Sequence, residues 1–437
     1  MNEEKRIVIG LTGSFGAGCS EAVSFLETQE FRKYSLSRDI LREAWFEKSK
    51  VQLTDLEETI ETRRKWQDAG DALRKEEGLS TLVDRALKKI ARDDSQKKGA
   101  NHSPLVIDSI RNPGEVEALR QTFSDFYLVA VSASQEQRMK RYDRIYKGQQ
   151  KAFLVDDARD SGADELPWGQ HVQMCVDISD VLVSNEQEWL YPYVKDEFYQ
   201  KIYQIVELMR KPGSRRPTND EYFMSLAYGA SLRSSCWKRK VGAVIVREYA
   251  SAPGGHGSYV LASGYNEVPP GIMSCAQRAG SGNPKFCVKD EEANNMLKES
   301  WKYCPKCTEA LKGAAERFAL FRCDKCKTPL VDFIPSKLHD LCIALHAEES
   351  AILQASRLGS VSLEGSVLYT TTFPCLLCAK MIILLGISRI VFAEPYPDLR
   401  AIRLLEEAKV PTKQFEGVKA RAYHALYEIQ FLKEGKQ

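Results

Sequence analysis

The chain has 437 residues, of which 43% are hydrophobic and 28% charged, and its formal net charge is +2 at pH 7. This length exceeds what one hydrophobic core usually organises, so we expect two or three domains. The near-neutral charge gives no general electrostatic reason for nucleic acid to be the main partner. The first apolar run, at 7–11, is too short for a signal peptide or a membrane span. We therefore expect a cytoplasmic protein without a membrane partner.

A glycine-rich segment follows that first apolar run, which is suited to a buried parallel strand. Its residues are Gly13, Ser14, Phe15, Gly16, Ala17, Gly18, Cys19 and Ser20, and a helical pattern comes next. A strand, a glycine-rich turn and a helix form the setting in which backbone N–H groups cradle phosphates. The spacing fits the P-loop pattern G-x-x-x-x-G-K-[ST], except that Cys19 replaces the lysine. We expect nucleotide binding, with Ser20 able to touch Mg²⁺, but no phosphoryl transfer; the alternative is a decayed loop kept for packing.

Further strands are predicted at 105–108, 127–131 and 180–185, with helices between them, which indicates a parallel α/β domain over 1–212. Residues 6–190 resemble the nucleoside monophosphate kinase and dephospho-coenzyme A kinase group. The resemblance rests on the loop, on the strand end at 107–111 and on a basic helix with Arg138, Arg141 and Arg144. It implies a lid whose arginines grip phosphates, although a solvated charged face gives the same spacing. We expect a regulatory, nucleotide-sensing domain here.

Two prolines and a glycine in a basic stretch at 210–217 indicate a domain boundary near residue 212. The second domain, 213–437, opens with a helix that carries Asp220 and Glu221 in its first turn. A strand at 240–246 and a hairpin partner at 259–264 follow. Asn266 comes directly after this hairpin, and its amide offers a donor and an acceptor together. We therefore predict that Asn266 contacts a nucleotide hydroxyl or phosphate.

The residues that carry the chemistry are His346-Ala347-Glu348 and, downstream, Pro374-Cys375 with Cys378. One imidazole and two thiolates can hold a zinc ion and leave its fourth position open to water. Glu348 lies two residues from the histidine, so it can stand beside that water as a general acid and base. This combination is the known signature of zinc deaminases acting on nucleobases. The alternative is a structural zinc knuckle with an unrelated glutamate.

Several motifs between 216 and 396 resemble deoxycytidylate deaminase. They include the segments at 216–224, 240–246, 264–266, 346–348, 368–371 and 374–382. The resemblance implies a three-layer α/β/α cytidine deaminase-like domain with the zinc ligands at the N-termini of two helices. It also implies substrate contacts from Asn266, Ala347 and Tyr396, a free deoxycytidine nucleotide as substrate, and a homo-oligomer.

The region 272–341 is predicted to be an insertion that carries a zinc ribbon. Its four cysteines, Cys304, Cys307, Cys323 and Cys326, form two C-x-x-C pairs. Four thiolates at this spacing predict a closed, structural site for a second Zn²⁺. Four free buried cysteines are the alternative, and the ribbon could serve the nucleotide pocket, an oligomer contact or nucleic acid.

The two-part architecture as a whole resembles bacterial anti-phage dCTP deaminases. That resemblance implies depletion of dCTP, with activity held in check until a regulatory nucleotide or a phage-derived trigger acts. Two alternatives stay open: a dCMP deaminase of pyrimidine nucleotide metabolism, and an enzyme that edits bases in RNA or single-stranded DNA.

Overall fold

The computed structural model describes residues 6–50, 59–96, 103–162, 165–186, 195–251, 255–279, 287–292, 326, 342–357, 359, 362–395 and 398–428. They form a mixed α/β structure with two sheets, which confirms the predicted class. The chain divides into two compact units. The first unit combines Met1–Tyr222 with Phe415–Gln437, and the second is Phe223–Gln414.

The first unit is built on a six-stranded sheet. Its first five strands are β1 (Val8–Thr12), β2 (Arg32–Ser35), β3 (Leu105–Asp108), β4 (Phe126–Ser132) and β5 (Val181–Ser184). They pair in parallel in the order β5-β4-β1-β3-β2. β1 is buried along its whole length, as expected for a central parallel strand with helices on both faces. β2 was not predicted, because Arg32 and Lys33 give this outermost strand no apolar pattern.

Helices connect these strands and cover both faces of the sheet. They are α1 (Cys19–Thr28), α2 (Arg42–Ser49), α3 (Ile60–Glu77), α4 (Thr81–Gln96), α5 (Pro113–Thr122), α6 (Gln135–Arg141), α7 (Asp143–Tyr146), α8 (Gln150–Ser161), α9 (Val172–Asp177) and α10 (Lys195–Arg210). A short π-helical turn, Leu36–Leu41, precedes α2. One apolar cluster packs α1 and α10 on the sheet, and another packs α3 and α4. Since β1 contributes to both clusters, the loop after β1 is anchored from both faces.

The second unit contains a five-stranded mixed sheet in the order β10-β9-β8-β6-β7. Its elements are α11 (Asn219–Ser231, whose first turn lies in the first unit), β6 (Gly242–Ser251), β7 (Gly255–Tyr265), α12 (Cys275–Ala279), α13 (Ala347–Arg357), β8 (Val367–Thr372), α14 (Leu376–Leu384), β9 (Arg389–Glu394), α15 (Leu399–Glu407) and β10 (Thr412–Gln414). The predicted hairpin is present as β6 and β7. β6 also pairs antiparallel with β8, whereas β8, β9 and β10 run in parallel.

The end of the chain belongs to the first unit. β11 (Gly417–Val418) pairs antiparallel with β5, and α16 (Ala420–Tyr427) follows. Val418, Ala422 and Leu426 recur every four residues and are buried in the cluster that contains α1 and α10. The predicted division at residue 212 therefore differs from the structure, which assigns 213–222 and the C-terminal segment to the first unit. The sequence does not reveal that the chain end returns to the first unit, because the apolar residues at 418, 422 and 426 do not indicate which hydrophobic core they join.

Among the described residues, no helix combines the length and the apolar character that crossing a membrane requires.

Candidate active site

Two helix starts bring the predicted metal ligands together in the second unit. His346 stands immediately before α13, and Cys375 is the N-cap of α14, with Cys378 in its first turn. The exposed N–H groups and the dipole at a helix start favour a thiolate. In the structure, the three predicted zinc ligands lie at two helix N-termini, as expected from the sequence.

The three donor atoms are spaced as a tetrahedral metal needs. His346 Nδ1 lies 3.3 Å from Cys375 Sγ and 3.4 Å from Cys378 Sγ. Ligand atoms at zinc–nitrogen and zinc–sulfur distances lie about 3.6 Å apart in a tetrahedron. Among the described residues, these three form the one His/Cys/Asp/Glu group compact enough to hold a metal ion. An imidazole with two thiols suits zinc and leaves a coordination position free.

The three donor groups shift one another's pKa values. A hydrogen bond with Cys375 raises the pKa of His346 to about 9. The hydrogen bond with Cys378, together with that to His346, lowers the pKa of Cys375 to about 3 despite its burial. The same hydrogen bond with Cys375, and burial, raise the pKa of Cys378. Because a metal ion binds neutral imidazole and ionised thiols, its binding would release protons from this cluster.

Glu348 lies beside the donors and is 4% exposed. Its carboxylate oxygen Oε2 is 3.7 Å from Cys378 Sγ. Burial raises the pKa of Glu348, and the neighbouring His346 opposes this rise. A buried carboxyl with a raised pKa beside a metal site is suited to taking up and returning a proton.

Two residues that support this site were not predicted. The carboxylate of Glu349 accepts a hydrogen bond of 2.7 Å from the His346 backbone N–H, at the N3 position of α13. The Thr370 hydroxyl, in the middle of β8, lies 3.4 Å from Glu348 Oε1. A capping pattern three residues after His346 could have identified Glu349. Nothing in the sequence indicates Thr370, because its contact is long-range.

Close packing of α13 on β7 fixes the direction of the ligand helix. A Cβ atom built on Gly264 would lie 2.3 Å from Ala351 N and 2.4 Å from Ala347 O. Glycine at 264 therefore allows the backbone of β7 to touch the first two turns of α13. Ala347, a predicted substrate contact, is fully buried at the first position of this helix.

Asn266 holds a loop beside the site. Its Oδ1 accepts from Val241 N at 2.7 Å, and its Nδ2 donates to Arg239 O at 3.0 Å. The side-chain amide thus fixes the segment that leads into β6. Contact between a nucleotide and the remaining hydrogen-bonding capacity of this amide stays a prediction. Glu267, next along the chain, forms a bridge with Leu345 just before His346. Sequence reading missed Glu267, which also accepts hydrogen bonds from Ser235.

Several predicted site residues lie outside the described part of the chain. They are Tyr396, Cys304, Cys307 and Cys323. Cys326 is described, but without the other three cysteines of the predicted ribbon. The second zinc site stays a prediction.

The glycine-rich loop joins β1 to α1 as predicted. Gly16 and Gly18 have φ angles of 80° and 115°, in the region that favours glycine. A Cβ atom on Gly18 would come within 2.2 Å of Asn185 Nδ2, and this amide donates to Ala17 O at 2.7 Å. Burial, and then the charge of Asp108, raise the pKa of Cys19 to about 12. The thiol that replaces the lysine is therefore neutral and supplies no positive charge.

The arginines predicted to form a lid have internal partners. Arg138 is 7% exposed and forms a bidentate ion pair with Asp157. Arg141 donates to the carbonyl oxygens of Gly16 and Ala17 at 2.8 and 3.1 Å. The buried Arg138 is thus not part of a solvated charged face, and Arg141 lines the cleft beside the loop. A lid that grips phosphates stays a prediction. The side chain of Arg144 is outside the described part.

Comparisons with known proteins concern mainly the C-terminal half. Residues 217–394 match the family model of the cytidine and deoxycytidylate deaminase zinc-binding region. A deoxycytidylate deaminase of Schizosaccharomyces pombe is 28% identical over 317 residues, which cover 71% of this chain and 76% of that protein. One of Saccharomyces cerevisiae is 30% identical over 201 residues, 46% of each chain. One of Mycobacterium phage D29 is 28% identical over 177 residues, 40% of this chain and 95% of that protein.

The class of protein follows from these matches and from the cluster of His346, Cys375 and Cys378 with the adjacent Glu348. The chain is a deaminase, a hydrolase acting on amidine groups, with a candidate zinc centre. Its C-terminal half contains a domain of the cytidine and deoxycytidylate deaminase family. The chain spans 46% of the Saccharomyces cerevisiae protein that it matches, so the similarity covers only part of the length of that protein.

Proposed function

We propose that the protein hydrolyses the amino group of free deoxycytidine nucleotides, dCMP or dCTP, to give the deoxyuridine nucleotide and ammonia. The observation that carries this proposal is the set of three donor atoms, all within 4.8 Å of one another, with the buried Glu348 carboxylate beside them. The similarity to proteins named deoxycytidylate deaminases supports a deoxycytidine nucleotide as the substrate.

In this proposal His346, Cys375 and Cys378 would hold zinc, which when bound lowers the pKa of a water molecule and so makes it nucleophilic. Glu348 accepts a proton from the attacking water and delivers it to N3 of the cytosine ring as C4 is attacked. The carboxylate then takes the remaining water proton from the new hydroxyl group at C4 and passes it to the amino group, which leaves as ammonia. Oxygen from water replaces nitrogen at C4, so the overall reaction consumes one water and needs no other co-reactant.

The direct test is incubation of the purified full-length chain with dCMP, dCDP, dCTP and CTP, with ammonia release as the measurement. Release from deoxycytidine nucleotides and little from CTP is expected, and the comparison of one phosphate with three identifies the preferred substrate. Absence of release from every free nucleotide, combined with deamination of an RNA or single-stranded DNA oligomer, would overturn the proposal in favour of base editing.

We further propose that dCTP is the preferred substrate, that the enzyme protects bacteria against phage by depleting dCTP, and that it acts in the cytoplasm as a homo-oligomer. The resemblance of the two-part sequence to anti-phage dCTP deaminases supports this role. Measurement of dCTP in infected cells that carry the wild-type chain or the Glu348→Gln variant tests it. Equal dCTP levels and equal phage yields in the two strains would leave dCMP deamination in ordinary pyrimidine metabolism as the function.

The regulatory part of the proposal places a nucleotide with Mg²⁺ on the loop Gly13–Ser20, and a second zinc ion on Cys304, Cys307, Cys323 and Cys326. A strand, a glycine-rich turn and a helix start support the first, and the two C-x-x-C pairs support the second. Zinc analysis of the Cys304→Ala variant tests the ribbon site, and it should lower the zinc content without removing zinc from the deaminase site. Unchanged zinc content would contradict the ribbon site.

A further inference from the structure

An open cleft lies beside the glycine-rich loop, within the first compact unit. Its volume is about 1820 Å³, and its lining includes the loop, the end of β3 and one side of α3. Sites for small molecules usually have volumes of about 300–1000 Å³. The cleft is therefore large enough for a nucleoside triphosphate.

Gln67 on α3 is the polar residue of this lining that most needs a partner. The side chain is 4% exposed, yet neither its Nε2 nor its Oε1 makes a hydrogen bond to any residue that the structure describes. A buried amide without partners lowers the stability of the fold, and native proteins seldom leave one in that state. Because an amide presents a donor and an acceptor side by side, it complements the edge of a nucleobase.

Arg63 lies one helical turn before Gln67 and lines the same cleft. Its guanidinium carbon is 3.8 Å from the centre of the Phe15 ring, so the loop itself positions this cation. Its Nε is buried and makes no hydrogen bond within the described part of the chain. Arg63 thus brings to the loop a positive charge that the neutral Cys19 lacks.

The charge around the loop favours an anion. Asp160 accepts from the Phe15 backbone N–H at 3.1 Å and from Arg111 at 2.5 Å, and it is 3.8 Å from Arg63. Asp108 is a second acid near Arg111, so the surplus of positive charge comes from the described cleft lining as a whole, which carries seven basic and four acidic side chains. Within the described residues, the backbone N–H groups of Gly16, Gly18 and Ser20 make no hydrogen bond. These N–H groups are the donors that a helix start offers to phosphate.

We propose that Arg63 and Gln67 form the ligand contacts of a nucleoside phosphate site in this cleft, separate from the deaminase centre. The loop N–H groups and Arg63 bind the phosphates, with Arg63 taking the place of the missing lysine. Gln67 binds the nucleobase through its donor and acceptor. This inference rests on the proposed nucleotide binding by the loop and adds the residues that provide charge and base selectivity.

The test uses the full-length chain and isothermal titration with ATP, GTP and inorganic tripolyphosphate, none of which offers cytosine to the deaminase centre. Arg63→Met should weaken the binding of nucleotide and of tripolyphosphate by at least about tenfold. Gln67→Leu should weaken nucleotide by a similar factor and leave tripolyphosphate unchanged. Gln121→Leu is the matched control, since this exposed glutamine pairs with Glu117 and does not line the cleft.

A second measurement separates a functional amide from a structural one. Without ligand, Gln67→Leu should raise the midpoint of thermal unfolding, because it removes an unpaired buried amide and keeps the apolar volume. If nucleotide binds the wild type and both variants equally, the roles of Arg63 and Gln67 are refuted while nucleotide binding by the loop stands. If the wild type binds neither nucleotide nor tripolyphosphate, loop binding itself is wrong and the inference falls with it. Should Arg63→Met not fold, the Gln67→Leu titration decides alone.

Discussion

Glu221 anchors the segments of the first unit that precede and follow the deaminase unit. Its carboxylate accepts a bidentate pair of 2.9 Å hydrogen bonds from Arg215. It also accepts from the backbone N–H groups of Thr218 at 2.8 Å and Val418 at 3.0 Å. Although burial alone would raise the pKa of Glu221, these donors lower it from 4.5 to about 2. The charged carboxylate is therefore the form that the fold requires.

The pKa shift sets the size of the effect of Glu221→Gln. A fall in the pKa of Glu221 from 4.5 to about 2 corresponds to about 3 kcal/mol of folding stability at pH 7. Since the pKa in the folded chain lies below that in the unfolded chain, this stability is present above about pH 4.5 and is lost as the pH falls towards 2. At pH 3 about 1.5 kcal/mol of it is left. The stability deficit of Glu221→Gln should therefore halve between pH 7 and pH 3.

Urea unfolding of the wild type and the variant at both pH values measures this deficit. Hydrogen exchange adds a local readout, because the Val418 amide should lose protection when its acceptor is weakened. Glu207→Gln is the control: this half-exposed glutamate pairs with Arg210 on the surface, and its replacement should cost less than about 0.5 kcal/mol. A deficit of the same size at both pH values, or one no larger than that of Glu207→Gln, would refute the reasoning.

Three further predictions concern the deaminase unit. Glu348→Gln should retain zinc and lose at least about 10²-fold in turnover. The control, Glu349→Gln, keeps a hydrogen-bond acceptor for the helix start and should retain most activity. Similar rates for the two variants would contradict the role of Glu348. Cys378→Ala should lower the zinc content measured by mass spectrometry, and a full complement of zinc would exclude Cys378 as a ligand. Gly264→Ala should destabilise the chain by about 1–3 kcal/mol because its Cβ meets the backbone of α13. Gly229→Ala, in an open helical position, should instead stabilise it by up to about 1 kcal/mol; equal effects would contradict the close packing.

Local sequence was sufficient to predict the candidate metal cluster and the carboxylate beside it. His346 with Glu348, and Cys375 with Cys378, are each within one helical turn, so the spacing alone predicts that each pair shares a helix start. The same holds for the strand and glycine-rich turn before Cys19. Features of this kind depend on neighbours along the chain, and they were predicted correctly in position.

Contacts between distant residues were decided only by the tertiary structure. Arg138 and Arg141 have the spacing of a phosphate-binding face, yet Asp157 and the carbonyl oxygens of the loop are their partners. Val418 joins the sheet of the first unit although the whole deaminase unit lies between them in sequence. Periodicity shows which face of an element is apolar or charged, but the partner of that face depends on the packing of the complete chain. The sequence by itself therefore predicted which residues meet as candidate metal ligands and which carboxylate lies beside them. The anchoring of the chain end, and the lack of a described partner for the amide of Gln67, were visible only in the fold.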